Sequence, residues 1–298
     1  MPAPEAVYQL DLNPELSESL KEIARQQGEL PDTICSLIQE LRDMIFEKGD
    51  FVPPTMTNEF LLKFLRARFC NVQHAYRLLN NYCSFRETNR ELHEKVHPLD
   101  LLAIGDHDIV SVLPYTDQTG KRIMIFRFGN WDPSKSSVDD VFKAALLVME
   151  TGSLEPSGQI LGGVGIFDLT SLSFNHILHL TPSVAQKMIA LMVTSMPLRT
   201  TAIHVVYQNW LFNAAFQIFK PFLNARMRDK IYVHGSDMSS LHQHIEPDYL
   251  PKRYGGVQPD YPYRPWLENL AKQEEVIKAI AQLGYSLAPR DGLYEGAN

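Results

Sequence analysis

Cysteine is scarce in this 298-residue chain: Cys35, Cys70 and Cys83 are the only three, and they are scattered. An odd count without metal-ligand spacing argues against a disulfide framework or a zinc ribbon. It predicts free thiols in a reducing compartment. A basic excess is lacking too. The chain carries 28 Lys and Arg against 35 Asp and Glu, a net charge of -7 with a pI near 5.8, where a nucleic-acid binder is usually basic. No run approaches the ~18 apolar residues that span a bilayer. Residues 1–13 show neither the basic nor the apolar region of a secretory signal. Together these absences predict a cytoplasmic protein whose membrane contact is peripheral, with no nucleic-acid partner.

Catalytic signatures are missing as well. Neither G-x-x-x-x-G-K-[ST] nor G-x-S-x-G occurs, and Gly162-Gly163-Val164-Gly165 precedes a strand-like run instead of joining strand to helix. His176 and His179, like His242 and His244, have no acidic or cysteine partner at ligand spacing. Asp168 closes an apolar strand, where bonding to a nearby backbone terminus is the common role. No nucleophile, base and orienting group assemble. The expectation is a non-enzyme without metal or cofactor.

What is present is a large apolar inventory, 45% hydrophobic against 21% charged, enough for a sizeable core. The first hundred residues read as helices. Asn13-Pro14 signals a start, helical segments follow near 14–27 and 32–47, and Thr57 and Asn71 can cap two more. The third of these directs Phe60, Leu61, Phe64 and Leu65 inward, with Lys63, Arg66 and Arg68 outward. Short connections predict an antiparallel bundle. From residue 109 the period changes. Runs 109–115 and 122–128 read as a hairpin around Asp117-Gln118-Thr119-Gly120. Strands near 164–169, 202–207 and 230–234 alternate with helices near 138–149 and 181–194, which predicts parallel pairing. The bundle should give way to the α/β unit between residues 93 and 105.

Residues 202–234 are the most informative stretch. After a strand-like run comes a segment with Trp210, Leu211, Phe212, Ala214, Ala215, Phe216, Ile218 and Phe219, whose polar positions Asn213, Gln217, Lys220 and Asn224 form one narrow stripe. Arg226, Arg228 and Lys230 follow directly. A helix this apolar must be covered by core, by a bound apolar molecule or by a membrane. Met188, Leu191, Met192, Met196 and Leu198, with Phe142, Met149 and Phe167, supply methionine-rich surface suited to flexible ligands.

These strings are similar to a known family. Phe60-Leu61-Leu62-Lys63-Phe64-Leu65-Arg66-Ala67-Arg68 resembles the entry helix of the N-terminal bundle of CRAL-TRIO lipid-transfer proteins. Thr119-Gly120-Lys121-Arg122, Trp131-Asp132-Pro133, Ile166-Phe167-Asp168-Leu169 and Thr181-Pro182-Ser183-Val184-Ala185 fit the same family. The most specific pieces are Pro197-Leu198-Arg199 before Ile203-His204, Lys220-Pro221-Phe222-Leu223, His234-Gly235, and Leu250-Pro251 before Tyr254-Gly255-Gly256. Within the family the chain looks closest to the branch of the alpha-tocopherol transfer and retinaldehyde-binding proteins.

The resemblance implies an α/β fold: a helical bundle over residues 10–95, a mixed or parallel sheet domain over 96–275 enclosing a lipid cavity closed by a lid helix, and a tail over 276–298. It places Phe142, Met149, Phe167, Leu172, Met188, Leu191, Met192, Met196, Leu198 and Ile203 in the pocket, and Phe212, Phe216 and Phe219 on the lid. A phosphoinositide cleft falls on Arg199, Arg226 and Lys230, with Arg228 adjoining and Thr201 departing from the basic pattern. Leu172 stands where the tocopherol protein has tryptophan, and Met149 and Met192 replace serine and leucine. The implied function is intracellular transfer of a tocopherol-, retinoid- or carotenoid-like ligand, exchanged transiently at phosphoinositide-bearing endosomal or plasma membranes. The alternative is a phosphoinositide-binding, lipid-sensing adaptor in vesicle trafficking, although Pro289-Arg290-Asp291-Gly292 shows no docking motif.

Overall fold

The computed structural model describes residues 10–287; residues 1–9 and 288–298, Pro289-Arg290-Asp291-Gly292 among them, lie outside the described residues. Four helices open the chain: α1 (Glu18–Gln26), α2 (Ile34–Lys48), α3 (Asn58–Ala67) and α4 (Val72–Thr88). Their ends follow from local chemistry. Thr57 Oγ1 accepts from Phe60 N at 3.3 Å and Asn71 Oδ1 from His74 N at 2.9 Å, each satisfying an otherwise orphan amide. Gly49 ends α2 in the left-handed region at φ 62°, a conformation glycine adopts without a Cβ clash. The expected start at Asn13-Pro14 is displaced. Helix α1 begins at Glu18 on a Ser17 cap, and Asn13 Oδ1 is occupied by Glu15 N.

Two residues read as outward-facing are buried. Lys63 and Arg66 are each 8% exposed, because α3 is packed between α2, α4 and a later helix, Pro156–Leu161. Arg66 makes a two-pronged bond to Glu29 at 2.7 and 2.8 Å and reaches Gln159 Oε1 at 2.7 Å.

Next come α5 (Leu102–Asp106), β1 (Val110–Thr116), β2 (Arg122–Arg127), α6 (Val138–Gly152), α7 (Pro156–Leu161), β3 (Gly163–Asp168), α8 (Phe174–His179) and α9 (Pro182–Ile189). The last continues as a π-turn, Ala190–Thr194. The remaining elements are β4 (Thr200–Val206), α10 (Leu211–Phe219), α11 (Ala225–Arg228), β5 (Ile231–Gly235), α12 (Met238–His242), α13 (Tyr263–Leu270) and α14 (Glu274–Ala281). The sheet runs β1-β2-β3-β4-β5, antiparallel at the first pair and parallel thereafter. The hairpin is held by Asp117, whose carboxylate accepts from the backbone of Thr119 and Lys121 at 2.8 and 2.9 Å.

The sheet has two differently employed faces, as the period-two alternation of strands requires. On β4, Ile203 and Val205 face α10. Val206 packs on the opposite side with Ile166, Leu241, Ile245 and Tyr254. The larger core is continuous from α2–α4 through Leu92, Val96, Leu101 and Ile104 to α6 and α13. A buried ion pair rivets it: Arg86 of α4 bonds to Glu150 of α6, which also accepts from Tyr82 Oη at 3.0 Å. The expected tail is shorter than its reading. Val276, Ile277, Ile280, Leu283 and Tyr285 all join this core, and Arg86 also donates to the Leu283 carbonyl.

Candidate functional site

Between the sheet and α10 lies a cavity of about 750 Å³, inside the roughly 300–1,000 Å³ usual for small-molecule sites. Phe167, Ile203, Val205 and Ile231 floor it, Val138, Val141, Phe142 and Ala145 of α6 wall one side, and Val184, Met188, Leu191 and Met192 wall the other. Helix α10 forms the roof. Its stripe residues Asn213 and Gln217 are exposed, whereas Phe212, Phe216 and Phe219 are half-buried and line the interior. Rings of Phe212 and Phe216 lie 5.6 Å apart. The expected sidedness of this segment is therefore the observed one.

The π-turn shapes the wall. A widened turn leaves carbonyls without their usual partners, and here they are met from outside: Thr200 Oγ1 donates to Met192 O at 2.6 Å and Asn81 Nδ2 of α4 to Thr194 O at 3.1 Å. Helical periodicity alone gives no sign of this turn.

Of the pocket and lid residues expected, Phe142, Phe167, Leu172, Met188, Leu191, Met192, Ile203, Phe212, Phe216 and Phe219 line the cavity. Met149, Met196 and Leu198 do not. Met149 shares a stripe of α6 with Phe142, but seven residues carry it roughly 10 Å further along the axis, past the cavity's end. With Leu198 it borders a separate void of about 40 Å³. Met196 is buried in the main core, where the chain leaves the π-turn for β4.

One end of the cavity is cationic. Arg199, Arg226 and Lys230 line it with Thr201, and so does Arg68, at the end of α3. Arg228 lines no part of the cavity: two residues from Arg226 on a helical turn, it points elsewhere and is exposed. The amphipathic pattern of its helix predicts Arg68 on the solvent face. Its sequence signal, a basic residue closing an amphipathic helix, cannot reveal what the helix end abuts. Among the described residues no carboxylate pairs with any of the four. Burial and then Arg226 hold the Arg68 guanidinium below its ordinary range. Burial and then Arg68 do so for Arg199, and burial with Arg226, Arg199 and Arg68 for Lys230. These are the marks of mutual repulsion in a partly dry setting. Arg199 sits 4.5 Å over the Phe69 ring and bonds to Gln27 Oε1 at 3.1 Å, while Lys230 Nζ donates to Thr200 O at 3.0 Å.

The residues weighed for catalysis have structural partners. Asp168 accepts from Thr170 N at 2.8 Å and Tyr254 Oη at 2.9 Å. His176 bonds to Ser173 and to the Trp131 carbonyl, His179 to Asn175 O, and His242 to Tyr254 O. Among the described residues no group of three or more His, Cys, Asp or Glu is placed to hold a metal.

Residues 106–256 match the CRAL/TRIO domain. This chain belongs to the CRAL/TRIO family. Clavesin-1 of Xenopus laevis is 36% identical over 262 residues, covering 87% of this chain and 78% of that protein. Clavesin-2 of Homo sapiens is 33% identical over 260 residues, covering 86% and 79%. A solved structure, the crystal structure of Sfh5, aligns over 88% of this chain and 99% of that one at TM-score 0.45 and 15% identity, a remote likeness. Family and cavity together make this CRAL/TRIO protein a lipid-binding one. The relatives' names do not specify the tocopherol and retinaldehyde branch. Among the described residues no helix is long and apolar enough to cross a membrane.

Proposed function

We propose that this CRAL/TRIO protein carries one small hydrophobic molecule, of tocopherol-, retinoid- or carotenoid-like character, and exchanges it at phosphoinositide-bearing membrane surfaces facing the cytoplasm. The observation that carries this reading is a juxtaposition: an apolar cavity roofed by a helix with its aromatic face inward, ending in four cations that have no carboxylate partner among the described residues. Burying about 400 Å² of apolar ligand is worth about 10 kcal/mol at 25 cal/mol per Å², before the cost of association. Opening α10 exposes that surface, and a bilayer compensates the exposure. Phe174 and Leu178, each 62% exposed, and Trp210 at 76% supply apolar contact next to the roof. Arginine forks suit phosphate oxygens, which gives the cationic end a role in choosing the membrane.

The test is transfer of a fluorescent lipophile between donor and acceptor vesicles. Acceleration over the spontaneous rate, greater with phosphoinositide in the acceptor, is expected. A rate no faster than spontaneous exchange sinks the carrier reading, and equal rates with plain phosphatidylcholine sink the targeting part.

A further inference from the structure

The cavity has two unlike ends. Strands β2 to β5 run parallel, so Arg199 and Lys230, which precede β4 and β5, lie at one edge of the sheet. Trp131, after β2, and His176 and His179, after β3, lie at the opposite edge, and all three line the cavity. Most polar atoms of this second end are already committed. Trp131 Nε1 donates to Ser136 O at 3.0 Å. His176 Nδ1 accepts from Ser173 N at 2.9 Å, so its Nε2 carries the hydrogen and donates to Trp131 O at 2.7 Å. His179 is different. Its Nδ1 lies 2.9 Å from Asn175 O, and a carbonyl only accepts, so Nδ1 holds the hydrogen. In the neutral ring Nε2 is then a bare acceptor, without a hydrogen-bond partner among the described residues. The ring stands edge-to-face against Trp131, with centroids 5.5 Å apart.

We propose that His179 selects the cargo by its hydroxyl group: the carried molecule is a neutral alcohol or phenol whose O–H donates to His179 Nε2, with its apolar body running beneath α10. The proposal rests on the carrier reading and deepens it by naming the polar head that the pocket takes. His179 is exposed, at the rim of the cavity, so water satisfies Nε2 until cargo covers it. A covered acceptor without a donor loses that bond, and the cost falls on any cargo with no hydrogen to give. An ether, an aldehyde or an ionised carboxylate offers Nε2 only lone pairs. A hydroxyl replaces the water. Rival acceptors line the cavity on α4, namely His74 and the Oδ1 of Asn81, whose Nδ2 is held by Thr194 O. At His179 a hydrogen bond fixes which nitrogen accepts, and a neighbouring ring fixes where it stands.

The experiment loads the full-length protein with a pyrene-labelled hydrocarbon and displaces it with dodecanol or with dodecyl methyl ether, which keeps the oxygen and loses the donor. The ratio of the two half-displacing concentrations is compared between wild type and variants, which cancels the difference in water solubility. One hydrogen bond should make that ratio about fivefold more favourable to the alcohol in wild type than in His179→Phe, a variant that keeps an aromatic ring beside Trp131. His179→Gln, which restores an acceptor, should recover part of the preference. His74→Leu combined with Asn81→Leu should keep it in full. Unchanged melting temperatures show that the variants are folded. The same ratio in wild type and His179→Phe overturns the proposal, and so does a preference lost in the His74 and Asn81 double variant. Equal weakening of both ligands in His179→Phe also overturns it, since the ring then acts only as wall. In each of these outcomes the hydrocarbon still binds and the carrier reading stands. Failure of the hydrocarbon to bind wild type overturns both.

Discussion

Phe216 lies near the middle of α10, half-buried, with its ring 5.6 Å from Phe212 and its side chain on the cavity. Phe216→Ser tests whether that helix opens. A fully buried phenylalanine removes about 200 Å² from water, so a half-buried one removes about 100 Å², worth about 2.5 kcal/mol at 25 cal/mol per Å². If release passes through an open state in which this ring already meets water, only the closed state loses that contact. The opening equilibrium then shifts by the full amount, and release quickens roughly 70-fold at 1.36 kcal/mol per decade. Stopped-flow transfer of a bound fluorophore into acceptor vesicles reads the rate, and chemical denaturation reads global stability in parallel. The variant should also partition less onto vesicles, because the same aromatic face meets the bilayer. An unchanged release rate with a loss of about 2.5 kcal/mol in folding stability would show α10 to be permanent core, and the lid account would be wrong.

Arg226→Ala should weaken preference for phosphoinositide over plain phosphatidylcholine vesicles by about 10- to 100-fold. Vesicle sedimentation at low and high salt checks it, and a preference that persists would mark the residue as ordinary solvated surface. Leu191→Asp places a carboxylate in the cavity wall and should abolish binding of lipophilic probes while circular dichroism stays native; unchanged affinity would remove Leu191 from the site. Glu150→Gln leaves Arg86 buried without its counter-charge and should cost about 3–5 kcal/mol by denaturant titration; a loss under about 1 kcal/mol would mean the pair is better solvated than its burial indicates. Burial, then His234 and His244, push His204 down to about 3, and burial with His244 opposing Asp237 lowers His234. Tyr232 also packs on His204. The unfolded chain takes up these protons near pH 6.5 and the folded one only lower, so their contribution is complete above about 6.5 and is lost as pH falls toward the folded values. His204→Gln should flatten the acid-side decline in melting temperature, and a decline as steep as in the unaltered protein would contradict the assignment.

Local chemistry made the elements readable. Thr57 and Asn71 cap where side-chain oxygens must meet orphan amides, and the apolar runs at β3 and β4 read as strands. On α10 the periodicity gave the polar stripe, and with it the exposed side; Phe212, Phe216 and Phe219 as the inward set came from the family resemblance. What failed was whatever depends on distance along an axis or on what a neighbour brings. Met149 satisfied the periodicity of α6 yet lies past the cavity. Lys63 and Arg66 depart from the expected outward face because charge predicts solvent unless a partner is supplied: Glu29 and Gln159, from remote parts of the chain, meet Arg66, and the Lys63 ammonium lies 5.6 Å over the Phe60 ring. Arg68 escaped for the same reason: its companions Arg199 and Lys230 sit where the chain enters β4 and β5, with Arg226 on α11, and only the tertiary fold brings the end of α3 to them.

Strand β4 turns Ile203 and Val205 toward the cavity and Val206, with His204, toward the opposite layer. Inheritance can therefore act on the two sets almost independently. Changes at alternate positions of one short strand alter what is carried, and changes at the positions between alter how firmly the carrier holds together. A lineage can retune its cargo by small steps on one side while the other side, with Asp168 locked to Tyr254, preserves the platform.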